Sequence, residues 1–323
     1  MVSLLTSAIA FMPFFLFGCT GEIITEKSGH LNLGIPGIIC AGGAGGALGA
    51  SIYMGAINGS PNYIPLILIS VLFSFVFAGV LGWIYAFLTV SLKCNQNISG
   101  LALTTFGTGL TQFIMKNFVN IDRISSASTL FKYTFGFHDK LGGFGEIFFS
   151  HGILIYLSVI ISVVAAIVIK RTKLGLRLRA IGENPAAADA VGVKVDRYKN
   201  LAILIGSGIA GLAGCFFIMD FIQGGYDSYF IMESLGWLAI ALVIFTLWRP
   251  NLAIFGSIIF GALFILPNAN IMASITTNTA LKKVIEMVPY LFTVIVLLVI
   301  SITGSKLAQP PASLGVNYFR EER

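Results

Sequence analysis

Charge is what this chain has least of. Of its 323 residues, 11% are Asp, Glu, Lys or Arg and 56% are hydrophobic. A soluble domain carries about 25% charge, so these few charges could not coat a water-facing surface. An integral membrane protein follows, a single transmembrane domain over 1–323 with no length left for a sizeable soluble unit. A GxxxxGK[ST] phosphate loop is also missing, so the chain holds no ATP-hydrolysing domain. Histidine is limited to His30, His138 and His151, far apart in sequence, which disfavours a membrane enzyme. Acids and histidines are nearly absent from the apolar runs, which disfavours a gradient-driven secondary transporter. Cys19, Cys40, Cys94 and Cys215 form no metal pattern, and Cys40 and Cys215 read as small buried side chains. No catalytic residue, metal ligand or cofactor of its own is expected. No Lys or Arg precedes Cys19, so LFGC (16–19) lacks the basic region of a secretory signal, and Val2–Gly18 reads as a first membrane helix.

What the chain does have is long apolar runs. Segments able to span a bilayer, about 17–25 residues each, lie near Val2–Thr20, Leu31–Tyr53, Ile64–Leu92, Ile98–Met115, His151–Ile169, Leu201–Ile222, Leu235–Trp248, Leu252–Pro267 and Pro289–Thr303. The fold class is all-α and polytopic, with about nine or ten membrane helices. The two segments ending at Trp248 and Pro267 are short, and read as half-helices, re-entrant pieces or a hairpin turning at Arg249-Pro250-Asn251. Ile64–Leu92 is long, so it tilts, protrudes or kinks.

The net charge of +6 would suggest nucleic acid only if basic residues shared a folded face. Here they flank apolar segments and set topology. The stretch 170–200 holds Lys170, Arg171, Lys173, Arg177, Arg179, Lys194, Arg197 and Lys199, 8 of the 20 basic residues. The positive-inside rule makes it cytoplasmic. Then 118–149 is external, and Lys93 and the tail 304–323 are cytoplasmic. A simple count puts Met1 outside, unless the Gly-rich second segment is re-entrant or crosses twice. Asp220 and Glu233 fall near an external end as surface groups.

Within the basic stretch, GENPAAADAVG has the grammar of a short capped helix. Asn184 is an N-cap, Pro185 suits the first helical position, Ala186, Ala187, Ala188 and Ala190 favour helix, and Gly192 can end it. A helix of about two turns with small side chains and basic arms could dock into another protein's groove. A solvated loop held by lipid phosphates explains the charges but not the capping grammar.

Glycine is concentrated in CAGGAGGALGA (Cys40–Ala50) and IGSGIAGLAG (Ile205–Gly214). Lipid gives helices no hydrophobic reason to meet, so small residues bring them together. Gly206–Gly211 matches GxGxxG, yet it lies inside an apolar helix, not after a strand. Polar residues gather in or beside the second to fourth segments: Asn32, Asn95, Gln96, Ser99, Thr104, Thr105, Thr108, Thr111 and Gln112. Thr104, Thr108, Thr111 and Gln112 recur at helical spacing. Such a stripe either binds neighbouring helices or lines a water-filled path.

These residues also carry a resemblance. EIITEKSGHLNLGIPGI (22–38), FLTVSLKCNQNISGLALTTFGTGLTQF (87–113), RTKLGLRLRAIGENPAAADAVGVKVDRYK (171–199), VPYLFTVIVLLVI (288–300) and FREER (319–323) resemble the permeases of bacterial ABC importers. The group is that of simple sugars, nucleosides and branched-chain amino acids, and the chain is most like nucleoside-type permeases that work with basic-membrane-protein-like lipoprotein receptors. The resemblance implies a multi-pass protein of the bacterial plasma membrane. Its partners would be an ABC ATPase that binds the ATP, a second, different permease subunit and an extracytoplasmic lipoprotein receptor. It implies that Glu183, Asn184, Pro185, Ala188 and Gly192, with Arg177 and Arg179 alongside, form a cytoplasmic coupling helix. Asn32, Asn95, Gln96, Thr104, Thr108 and Gln112 are the candidate substrate path. Where relatives commonly have an acid in an NxGxEG-like run, this chain has NLGIPG (32–37); Pro36 bears on substrate class, not on family. A ribose-like sugar or a branched-chain amino acid is the alternative cargo.

Overall fold

The computed structural model describes residues 2–57, 61–132, 142–268, 279–303 and 309–319. Among them there is no strand, and helices fall on all nine apolar segments. In chain order these are α1 (Val2–Glu26), α2 (Ile35–Ala56), α3 (Tyr63–Ala86), α4 (Gln96–Asn117), α5 (Ile121–Phe131), α6 (Gly142–Phe149), α7 (Ile153–Arg171), α8 (Lys173–Glu183), α9 (Pro185–Ala190), α10 (Val195–Phe216), α11 (Phe230–Phe245), α12 (Pro250–Ile265), α13 (Thr279–Glu286) and α14 (Val288–Thr303). Wide π turns extend α3 over Phe87–Ser91 and α10 over Phe217–Phe221.

Five of these helices are long and apolar enough to cross a bilayer: α1, α2, α3, α7 and α10. α4 has the length, 22 residues, but carries Gln96, Asn97, Thr104, Thr105 and Gln112. α11 and α12 have 16 residues each and form the expected hairpin, turning at 246–249. The excess length of the third segment is taken up by the π turn at its end.

α2 and α10 form the centre, together with α1 and α3. α2 buries 16 of its 22 residues, because its glycines let α10 approach to backbone contact. A Cβ on Gly214 would lie 1.9 Å from the Ile39 carbonyl oxygen, and one on Gly42 would lie 2.4 Å from the Gly211 Cα. α3 meets α10 at the same glycine, Ser74 Oγ donating to the Gly211 carbonyl at 3.0 Å. α2 is one continuous helix, so neither re-entrance nor a double crossing is needed to fix the topology. The start of α1, the helices α5 and α6, and the 222–229 loop belong to one end of the molecule. The loops 27–34 and 92–95, the α8–α9 pair and the segment 309–319 belong to the other. The second end carries the basic stretch, which the positive-inside rule expects on the cytoplasmic side. Lys140 and Lys306, Arg320 and Arg323 of the tail lie outside the described residues.

Two sequence expectations fail in the helices. α1 does not stop at Thr20; it continues to Glu26 and buries Glu22 and Glu26, 0% and 2% exposed. Acids are therefore present within the bundle. Asp220 is not a surface group either: it is 7% exposed.

Candidate functional site

The basic end is built from short-range signals. Thr172 caps α8, its hydroxyl accepting from the Gly175 N–H at 3.2 Å. Asn184 then ends α8 and begins α9. Its backbone is extended (φ −150°, ψ 95°), and its side-chain oxygen accepts from the Ala187 N–H at 2.9 Å. Pro185 occupies the first helical position, where a missing N–H loses nothing. At the far end Gly192 takes φ +84°. The Gly192 N–H donates to the Asp189 carbonyl at 2.9 Å and the Val193 N–H to the Ala188 carbonyl at 3.0 Å. This is the paired closure that a left-handed glycine permits.

The helix so formed has two faces. Ala188 is 4% exposed and turns inward against Ile181 and Val195. Glu183, Asn184, Ala187 and Gly192 face outward, joined by Val191, which is 80% exposed. Val191 was not singled out from sequence; an apolar side chain just before a helix-ending glycine was the available signal. Arg179 is exposed, and Arg177 lies over the Tyr198 ring at 5.8 Å while donating to its hydroxyl.

The pair is held from behind by the segment 309–319, which sequence reading passed over. The Gly182 carbonyl accepts from the Ser313 N–H at 2.9 Å and from Ser313 Oγ at 2.6 Å. Tyr318 donates to Asp189 at 2.9 Å. Asn317 donates to the Lys93 and Cys94 carbonyls at 2.7 and 3.1 Å and accepts from Gln96 at 3.0 Å. The Gly315 N–H reaches the Gly29 carbonyl at 3.2 Å. One stretch thus ties α8, α9, the 27–34 loop and the 92–95 loop together.

Of the path candidates, the structure gathers Asn32, Gln96, Thr104 and Thr108 at buried positions around the start of α2. Gln96 accepts from the Leu31 N–H at 2.9 Å. Asn32 caps Gly34 at 2.9 Å, and its amide nitrogen has no partner. Thr104 donates to the Leu33 carbonyl at 2.9 Å. Thr108 and Thr111 donate back into α4 itself, at 3.0 and 2.7 Å. Asn95 is exposed and caps α4 through the Ile98 N–H at 3.1 Å. Gln112 is exposed, so it does not share the buried Thr face. The stripe therefore divides, with the threonines packed against α2 and Gln112 turned away beside exposed Thr105.

Behind this region lies the buried acid pair. Glu22 accepts from the Asn32 N–H at 3.1 Å, and Glu26 accepts from the Trp248 indole N–H. Trp248 and its neighbour Leu247 both have φ near +52°, so the α11–α12 turn is a strained one pinned to α1. The i, i+4 spacing of Glu22 and Glu26 was visible, but the first apolar run was ended at Thr20. The real terminator is Gly29, at φ +84°. His30, in the adjoining loop, is 2% exposed. Burial holds its pKa well below the usual value, with Lys199 and Lys93 adding to the effect. No cluster of His, Cys, Asp and Glu suited to a metal occurs among the described residues.

Among the described residues, helices on nine apolar segments form a bundle with a capped helix pair on its basic end. The family model described as "Branched-chain amino acid transport system / permease component" matches residues 3–304. The chain belongs to this permease family. A permease of Haloferax volcanii, provisionally named for glucose ABC transport, is 33% identical over 98% of this chain and 98% of its own length. A nucleoside ABC transporter permease of Lactococcus lactis is 26% identical over 95% and 93%. A guanosine ABC transporter permease of Bacillus subtilis is 25% identical over 94% and 92%. The permease is thus the membrane component of an ABC transporter, a multi-pass protein of the plasma membrane that works with an ATPase partner.

Proposed function

We propose that this permease carries nucleosides into the cell by alternating access, driven from its cytoplasmic end. The observation that carries the reading is the full-length likeness to nucleoside and guanosine permeases, joined to an outward-facing, doubly capped helix on the basic end. In this reading α9 is the coupling helix. Glu183, Asn184, Val191 and Gly192 meet the ATPase, Pro185 and Ala188 shape and seat the helix, and Arg177 and Arg179 flank it. ATP itself is bound by the partner. A permease of this kind is a two-state element biased from both ends: a lipoprotein receptor delivers solute outside, and ATPase closure pushes α9 inside.

A second, different permease subunit covers the outward face of α4. That puts Gln112, with Thr105, on the path, while Asn32, Asn95, Gln96, Thr104 and Thr108 hold the inner end of α4 in place. The likeness to the Haloferax permease supports a second reading, a simple sugar such as glucose. Both cargoes are hydroxylated rings. Vesicles containing the two permeases, the ATPase and the receptor decide between them: ATP-dependent uptake of labelled guanosine is expected. Uptake of glucose alone would move the assignment to the sugar reading, and uptake without ATP would reject the importer.

A further inference from the structure

At the external end, opposite the ATPase side, α1, α7, α10 and α12 line a half-open cavity of about 560 Å³, within the size range of small-molecule sites. Asp220 lines it. This side chain is 7% exposed, and its Oδ2 has no hydrogen-bond partner. Buried carboxylates are normally satisfied, because an unpaired one is costly. Asp220 sits in the π turn Phe217–Phe221, where the Ile222 N–H reaches back to the Phe217 carbonyl at 2.9 Å and the Gly224 N–H to the Ile218 carbonyl at 2.8 Å. Such turns re-aim a side chain and recur at functional sites. Gly152 leaves room for the carboxylate: a Cβ there would lie 2.6 Å from Oδ2.

The other walls say what would fit. Among the described residues, Lys132 is the cation that lines the same cavity and acts on Asp220 across it, so the two charges offset and a charged solute gains little net attraction. His151 is 5% exposed, and its Nε2 is engaged by the Ile147 carbonyl at 2.9 Å. Phe216, Phe221 and Phe264 supply the apolar wall. Phe11 stacks on Phe264 at 4.3 Å and meets Phe221 edge-on at 4.6 Å; the Phe221 and Phe264 centroids are 6.2 Å apart, and Phe221 is 39% exposed, so it is chiefly Phe221 that leaves ring surface for a flat partner. An acceptor pair beside aromatic faces, without net charge, suits a neutral ring compound carrying a vicinal diol.

We propose that this cavity is an external subsite for the nucleoside, with the ribose diol on Asp220 and the base against Phe221 and Phe264. The assignment rests on the nucleoside reading above and adds the place and the contacts. The test is an uptake cycle in vesicles with the complete transporter. Wild type and Asp220→Asn are each given labelled guanosine and its 2′,3′-dideoxy analogue. Whatever the receptor and the partner permease contribute cancels between the two proteins. Loss of a charged hydrogen bond is expected to raise KM for guanosine by about tenfold or more, while KM for the dideoxy compound stays within about twofold. Phe221→Leu keeps apolar volume and removes the stacking face; it is expected to raise KM for guanosine. Co-elution with the ATPase on size exclusion checks that each variant is assembled. Wild-type uptake of guanosine with equal responses of both solutes to Asp220→Asn, or with no response to either variant, overturns the subsite alone. Failure of the wild type to take up guanosine overturns both the subsite and the nucleoside reading.

Discussion

Single residues decide how close the central helices come. Gly214 faces the Ile39 carbonyl at a distance that admits no methyl group. Gly214→Ala is expected to cost about 1–3 kcal/mol through overpacking, read as a lowered unfolding midpoint of the purified protein. His30 makes a prediction about pH. Its folded pKa lies below the unfolded value of about 6.5, so the unfolded chain takes up a proton first as pH falls. Stability present above pH 6.5 is therefore lost below it, at no more than about 1.4 kcal/mol per pH unit. His30→Gln should flatten the fall in unfolding midpoint between pH 7 and 5; equal slopes in both proteins would reject a buried neutral imidazole. At this scale the sequence is only partly legible. Gly42, Gly211 and Gly214 announced themselves by clustering. Asp220 did not, because its burial depends on α7 and α12 closing over it from distant parts of the chain.

Elements differ in how local their instructions are. α9 was readable because its start and stop lie in the residues around it: Asn184 and Pro185 at one end, Gly192 at the other. Asn184→Ala should remove a cap worth about 1 kcal/mol, and Gly192→Val should add about 1–2 kcal/mol of left-handed strain. Both are expected to lower solute moved per ATP hydrolysed while leaving membrane insertion intact; an unchanged ratio would remove α9 from the coupling route. The α11–α12 hairpin was readable as a hairpin from Arg249-Pro250, but its anchor was not. Trp248 and Glu26 are 222 positions apart, and no local pattern pairs them. Trp248→Phe keeps an aromatic ring and strands a buried carboxylate, a loss of about 1–3 kcal/mol. Thermal unfolding of that variant against wild type measures it.

For the whole molecule, apolar run length was enough to place the nine apolar segments on which the described helices fall, because a bilayer sets the length of a span, and the basic loops supply the expected direction. The closure of the basic end was not legible. Ser313, Asn317 and Tyr318 are ordinary polar residues in sequence, and they gain meaning only beside Gly182, Lys93 and Asp189. Combining Asn317→Ala with Tyr318→Phe should loosen the α8–α9 pair, seen as faster proteolysis between 172 and 194; unchanged cleavage would show that other contacts hold the pair.

That closing stretch follows every described helix in the chain, so the ribosome makes it after them. Until it is made, the Gly182 carbonyl lacks the two Ser313 donors that steady the α8–α9 corner, so that corner is completed by the last-made of the described residues.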